Sequence, residues 1–139
     1  MRKTALALGM ILLASCSIND RVEPLSVSKV TKLCLKKNKA VHMSGFLPEI
    51  IHQFERHGVT ATSYKGKRPK NCRYHGDYVA RWTWDVAMYL NFAEIKIYDR
   101  GKQIGLVEYD ARVAQFHIGK FGTTRSKLDP LFDRLFARR

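Results

Sequence analysis

Acidic residues are scarce in this sequence. It has 12 Asp and Glu against 25 Lys and Arg, which gives a formal net charge of +13 at pH 7. A charge of this size bears on solubility and on the choice of partners rather than on the fold. It favours partners that carry negative charge.

The common catalytic motifs are also missing. There is no G-x-S-x-G elbow, no phosphate-binding Walker loop, no H-E-x-x-H pair and no glycine-rich dinucleotide fingerprint. The carboxylates Asp77, Asp85, Asp99 and Asp110 have no spacing typical of an acid–base pair, and the five histidines are scattered. We therefore expect a protein that is not an enzyme, with no catalytic residue, no metal and no cofactor. The alternative is a hydrolase acting on cell-envelope substrates.

Long hydrophobic runs are absent except at the N-terminus. The uncharged segment Ala5–Ala14 has ten residues, about half of the roughly 20 needed to span a bilayer. It follows Arg2 and Lys3, as the apolar core of a secretory signal peptide does. Its end, Leu13-Ala14-Ser15-Cys16, resembles the lipobox of bacterial lipoproteins. The resemblance implies cleavage before Cys16 and acylation of Cys16; the alternative is an ordinary signal peptide with an incidental cysteine.

The predicted anchor sets the compartment and the available partners. Ser17 stands where inner-membrane lipoproteins often have Asp, so we expect acyl chains on Cys16 to hold the protein at the outer membrane with its domain in the periplasm. The anions there are lipid phosphates and lipopolysaccharide. The expected partners are the membrane itself, an anionic lipid or lipopolysaccharide, or an envelope protein; nucleic acid is not expected.

Cysteine is scarce, with three residues in all. If Cys16 carries lipid, Cys34 and Cys72 remain in an oxidising compartment, which favours a disulfide between them. The bridge would close a loop of about 39 residues. The alternative is a pair of metal ligands, although neither cysteine lies in a C-x-x-C motif with a nearby histidine.

Hydrophobic periodicity predicts one α+β domain over residues 27–139, preceded by a lipid-anchored tether at residues 16–26. The expected fold is a two-layer sandwich, a mostly antiparallel sheet of four to six strands with two helices on one face, in the order β-α-β-β-β-β-α. Residues 86–91 are expected to form a short connection or one turn of helix. The predicted strands are 27–35, 59–64, 73–85, 92–98 and 103–109, with a short final strand at 113–118, and the predicted helices are 44–57, with Ser44 as its N-cap, and 123–136.

The segment Arg73–Asp85 has the clearest two-residue period in the chain. One face carries large aromatic residues, including Tyr74, Tyr78, Trp82 and Trp84. Alternation of this kind is typical of a half-buried strand. We expect both tryptophans to lie in the core beneath the helices, with an exposed aromatic binding surface as the alternative.

Basic residues concentrate in two places, residues 29–39 and residues 65–70. The second segment holds Lys65, Lys67, Arg68 and Lys70, and its Gly and Pro mark it as a loop. These four residues, together with the lysines of residues 29–39, are candidates for binding an anion such as a lipid headgroup or a lipopolysaccharide phosphate. The alternative is a solvated loop that keeps the protein soluble.

Several short motifs resemble those of a family of small uncharacterised lipoproteins of Gram-negative bacteria. The resemblance covers most of the chain after Cys16, but the family has no established activity to transfer. By topology alone the chain is also similar to the lipopolysaccharide-assembly lipoprotein and to transporter-auxiliary lipoproteins. Besides the lipobox, the matching motifs are Cys34 after a strand, His57-Gly58, Cys72-x-Tyr74, Trp84-Asp85, Ala93-Glu94-Ile95, Gly101-Lys102-x-Ile104-Gly105 and Ser126-Lys127-Leu128-Asp129-Pro130.

Overall fold

The computed structural model describes residues 17–137, so the predicted lipidation site, Cys16, lies outside the described residues. These residues form an α+β fold in which a six-stranded mixed sheet carries two helices. Within residues 17–137, no helix has the length and hydropathy of a membrane-spanning segment. The strands are β1 (Asn19–Glu23), β2 (Lys32–Lys36), β3 (Thr60–Tyr64), β4 (Tyr74–Asp85), β5 (Ala87–Asp99) and β6 (Lys102–Asp110).

The sheet order is β1-β6-β5-β4-β2-β3. The neighbours from β1 to β4 are antiparallel, and β2 pairs parallel with both β4 and β3. The parallel contact between β2 and β4 is short, with Cys34 opposite His75 and Leu35 opposite Gly76. The prediction of an α+β sandwich with a mostly antiparallel sheet is therefore confirmed.

The helices α1 (Phe46–Arg56) and α2 (Thr124–Leu135) pack against each other on one face of the sheet. The ring of Phe54 meets that of Phe132 edge to face, with 5.1 Å between centroids. Thr123 caps α2 by accepting a hydrogen bond from the Ser126 amide at 3.1 Å. The predicted cap of α1 was wrong, because its N-cap is Gly45 and no side chain caps it.

The disulfide between Cys34 and Cys72 is present, with 5.8 Å between the two Cα atoms. Both cysteines are buried. Cys34 lies within β2 and Cys72 just precedes β4, so the bridge reinforces the short parallel contact between these strands. The prediction of a disulfide rather than a metal pair is confirmed.

The predicted tether is wrong for residues 19–23, which form the edge strand β1. All five residues pair with β6, from Asn19 opposite Asp110 to Glu23 opposite Leu106. The sequence did not predict this strand, because an edge strand that is largely exposed needs little apolar alternation. Val22 is partly buried and packs against the core. The domain therefore begins only a few residues after Cys16.

Three other boundaries also differ from the predictions. Residues 86–91 are not a connection, because β5 begins at Ala87 and β4 turns back at Val86. Residues 113–118 form turns that lead into a short 3-10 helix at Ile118–Lys120 rather than a strand. The strand predicted at 27–35 is limited to Lys32–Lys36.

The two tryptophans do not share one environment. The β4–β5 register shifts between Arg81 and Trp82. Trp82 is partly buried, with its ring edge to face against Phe46 at 5.3 Å between centroids. Trp84 is 69% exposed. The prediction that both indoles lie in the core is therefore wrong for Trp84.

Candidate anion-binding groove

The face of the sheet opposite the helices carries an open groove of about 440 Å³. Strand alternation explains its lining. Ile95 and Ile97 of β5 point into the core, so Glu94, Lys96 and Tyr98 point to the uncovered face. The groove is lined by Lys36, Lys37, Asn38, Lys39, Asp77, Tyr78, Val79, Glu94, Lys96 and Tyr98.

Asn38 holds the lysine-bearing segment against β4. Its backbone amide donates to the Tyr78 hydroxyl at 3.2 Å, and its side-chain amide donates to the Tyr78 carbonyl at 2.9 Å. Its side-chain oxygen accepts from the Ala40 amide at 2.9 Å. The Lys37 amide donates to the Tyr64 carbonyl at 2.9 Å. These bonds fix the backbone around Lys37 and Lys39, so the flexible side chains of both lysines start from a set position.

Positive charge dominates the groove. Four lysines line it with two carboxylates, Asp77 and Glu94. Glu94 is paired with Lys96 at 2.9 Å, and this hydrogen bond raises the pKa of Lys96. Within residues 17–137, the other three groove lysines make no ion pair. Their charge is available to a ligand.

The predicted basic loop adjoins this groove. Lys65 follows Tyr64, whose carbonyl accepts from Lys37. Arg68 Nη1 lies 2.6 Å from Nδ1 of His75. The His75 ring stacks on the ring of Tyr98, which lines the groove, with 5.2 Å between centroids. Burial and then the charge of Arg68 lower the pKa of His75, which favours the neutral ring.

We call the combined area the basic surface. It comprises Lys36, Lys37, Lys39, Lys65, Lys67, Arg68, Lys70 and Lys96. The structure brings Arg68 next to the groove, and the other three predicted loop residues are exposed in the same loop. Asn38 and Lys96 were missed by sequence reasoning. Lys96 lies on the polar face of a predicted strand, which was a usable signal, but nothing local marks Asn38 as the residue that holds the loop.

Comparisons with known proteins support the fold only. No protein-family profile matches the chain, and no curated protein sequence matches it. Among solved structures it is similar to the PelC dodecamer from Paraburkholderia phytofirmans and to the dodecamer of a single-substitution PelC variant from the same organism. The TM-score is 0.56 for both, with 10% and 11% identity, over 88% of this chain and 100% of each PelC chain. At this identity the likeness shows a shared fold.

Proposed function

We propose that the protein is a non-enzymatic periplasmic lipoprotein, anchored at the outer membrane through Cys16, that binds an anionic envelope component on its basic surface. The observation that carries the proposal is the groove itself. It combines a concave floor, three lysines free of ion pairs within the described residues, and a basic loop at its edge. The alternative, a hydrolase, would need a free carboxylate pair beside a histidine. Asp77 and Glu94 both line the groove and His75 adjoins it, but Glu94 is ion-paired with Lys96.

Charge is the main source of affinity in this proposal. A basic residue close to an anionic surface contributes about 1 kcal/mol, and salt screens the attraction. The groove adds geometry to charge because Asn38 fixes the segment that carries Lys37 and Lys39. A ligand with regularly spaced carboxylates or phosphates would therefore be held at several points at once.

The position of the basic loop favours a ligand away from the anchoring leaflet. Arg68 of the basic loop contacts His75 on β4. The first residue of β1, Asn19, lies instead at the level of Arg81 on β4. Cross-strand pairs connect them across the sheet: Arg81–Phe92, Phe92–Asp110 and Asp110–Asn19. His75 and Arg81 are six residues apart on β4, which is roughly 20 Å along the strand. We therefore assign the basic surface to an acidic polymer or acidic protein in the periplasm rather than to the headgroups beside the anchor.

Replacing Lys36, Lys37 and Lys39 with Gln should weaken binding to a labelled anionic polymer about a hundredfold at low salt, because three charges worth about 1 kcal/mol each are lost. Polygalacturonate and polyphosphate are suitable probes, with neutral dextran as a blank, and titration at two salt concentrations tests screening. The matched control replaces Lys29, Lys32 and Lys102, which are exposed outside the groove. Equal weakening in both triple variants would show that only diffuse charge matters.

Removing the loop charges gives a separate test of the predicted anion-binding residues. The quadruple change of Lys65, Lys67, Arg68 and Lys70 to Ser is expected to reduce binding and to flatten its salt dependence. It also removes the contact between Arg68 and His75. Binding equal to that of the parent protein would remove the loop from the ligand site and leave the groove lysines alone.

Changing Cys16 to Ala should abolish incorporation of a fatty-acid probe into the protein in cells. The reason is that, in the lipobox pattern, the Cys16 thiol takes a diacylglycerol, and the amine that cleavage frees on Cys16 is then acylated. The experiment compares labelling of the parent and the variant after immunoprecipitation. Unchanged labelling would refute the anchor without bearing on the groove.

A further inference from the structure

One end of the sheet carries several large apolar side chains in solvent. Trp84 is 69% exposed, Val86 87%, Phe116 88% and Ile118 86%. Two segments supply them, the β4–β5 hairpin and the turns between β6 and α2. Large exposed apolar patches mark sites of contact with a partner or a membrane. We call this patch the apolar tip; it consists of Trp84, Val86, Met88, Val113, Phe116 and Ile118.

A buried lysine joins the two segments of the apolar tip into one surface. Lys120 is 2% exposed, and its Nζ lies 2.5 Å from both Asp85 Oδ2 and the Gln115 carbonyl oxygen. It also lies over the rings of Tyr89 and Phe121. Residues 84–88 and 113–119 contain two ionisable side chains, Asp85 and His117. The pairing of Asp85 with Lys120 lowers the cost of moving the tip out of water.

The hairpin turn is built from an unusual residue. Val86 has φ of 62°, in the left-handed region where glycine and asparagine are the common residues and β-branched side chains are rare. Glycine or asparagine at this position would make the turn with less strain, but neither would place an apolar side chain at the end of the hairpin. A strained apolar residue at the outermost position is typical of a functional site.

The chain enters the domain beside the apolar tip. Ile18 Cδ1 lies within 3.7 Å of where a Cβ on Gly119 would be, next to Ile118. Strand β1 then runs away from the tip, with Asn19 opposite Asp110. Cys16 is two residues before Ile18 in the sequence. An acyl group on Cys16 would therefore be attached at the tip end of the domain.

We propose that the apolar tip inserts into the lipid surface that holds the acyl chains of Cys16. This inference rests on the proposed lipid anchor. Apolar faces at such interfaces sink about 5–10 Å into the boundary between headgroups and acyl chains. Arg81, three residues behind Trp84 and so roughly 10 Å back along β4, is placed at headgroup level. Arg112 lies beside it, since both guanidinium groups face the Phe92 ring.

Insertion of the tip would orient the whole domain. His75, at the basic loop, is nine residues from Trp84 on β4, roughly 30 Å along the strand. The domain would then stand on the membrane with β4 and β5 steeply inclined to it. The basic loop would face the periplasm, away from the leaflet that holds the anchor.

Single-tryptophan variants test the proposal, because the chain has two tryptophans in different environments. W82F leaves Trp84 at the tip, and W84F leaves the partly buried Trp82 as the matched control. Each full-length acylated protein is reconstituted into vesicles of phosphatidylethanolamine and phosphatidylglycerol, with or without a brominated-chain lipid. We expect bromine to quench Trp84 several-fold more than Trp82, and aqueous iodide to lose access to Trp84. The double variant F116S/I118S, altered at two exposed positions, should reduce the quenching of Trp84.

The outcomes separate this inference from the anchor. Mass spectrometry of the same samples reports acylation of Cys16. Acylated protein whose Trp84 stays open to iodide and unquenched by bromine overturns the tip insertion and leaves the anchor standing. Unacylated protein whose Trp84 is quenched in vesicles supports the tip and refutes the anchor. If Trp84 is already shielded from iodide in a lipid-free oligomer, the tip is an interface between copies and the proposal fails.

Discussion

Loss of the disulfide between Cys34 and Cys72 is expected to lower the free energy of unfolding by about 4 kcal/mol. The bridge closes a loop of about 39 residues in the unfolded chain, and the chain-entropy model gives this value for that length. The folded state adds a structural reason. The bridge reinforces a parallel contact of only two residue pairs between β2 and β4.

Urea denaturation of the C34A/C72A variant beside the parent protein measures this effect. Reductant should destabilise the parent protein to a similar extent and leave the double variant unchanged. Each single variant should lose as much as the double variant, because either change opens the loop. A loss below about 1 kcal/mol would mean that the unfolded chain is already constrained in this region.

Changing Phe54 to Ala should lower the free energy of unfolding by about 3–5 kcal/mol. Phe54 lies on α1, is 1% exposed and contacts the rings of Phe132 and Phe136 edge to face. The truncation leaves a cavity where the two helices meet, and the contacts of both partner rings are lost. Many domains of this size have a total stability of only about 5–15 kcal/mol, so the variant will be close to unfolding at physiological temperature.

The matched control is Phe116→Ala, the same truncation at a residue that is 88% exposed. It should change stability by less than about 0.5 kcal/mol. Denaturation of both variants under one set of conditions makes the comparison. Equal losses would mean that Phe116 is buried in solution, for example in an assembly, although it is exposed in the single chain.

Strong periodic patterns were the reliable part of the sequence. Both helices were predicted within two residues of their ends, because Ile50 and Phe54 on α1 and Leu128, Leu131 and Phe132 on α2 repeat at helical spacing. A helix buries one stripe whatever lies beneath it, so its spacing is visible locally. The hairpin turn after Asp99 was also predicted, because Gly101 marks it in the sequence. In the structure Gly101 takes the positive φ, 84°, that such a turn requires.

Elements without a buried stripe were missed. Strand β1 is held by main-chain bonds to β6, and these bonds leave no signature in side-chain hydrophobicity. The β4–β5 hairpin extends past the helices, so its last residues alternate without a core to bury them. Burial there depends on where another element ends, which is a property of the whole fold.

The candidate sites divide in the same way. Net charge and the basic loop at residues 65–70 could be predicted from composition. The pairing of Cys34 with Cys72 could be predicted because these are the two cysteines that remain if Cys16 carries lipid. The groove could not, because it exists only where the segment carrying Lys37 and Lys39 meets a face of β5 that is distant in the sequence. Asn38 makes that meeting possible through bonds to Tyr78, and such long-range bonds have no local pattern.

The helices, most of the central strands, the disulfide and the excess of positive charge could be predicted, because each depends on residue type and spacing. Which aromatic residues are buried, and which end of the sheet is apolar, depends on how distant segments pack together. Trp82 and Trp84 occupy equivalent places in one alternating pattern, yet Trp82 packs on Phe46 while Trp84 is exposed at the tip. The physical reason is that a side chain is buried only where a second layer covers it, and the extent of that layer is set by chain segments distant in sequence.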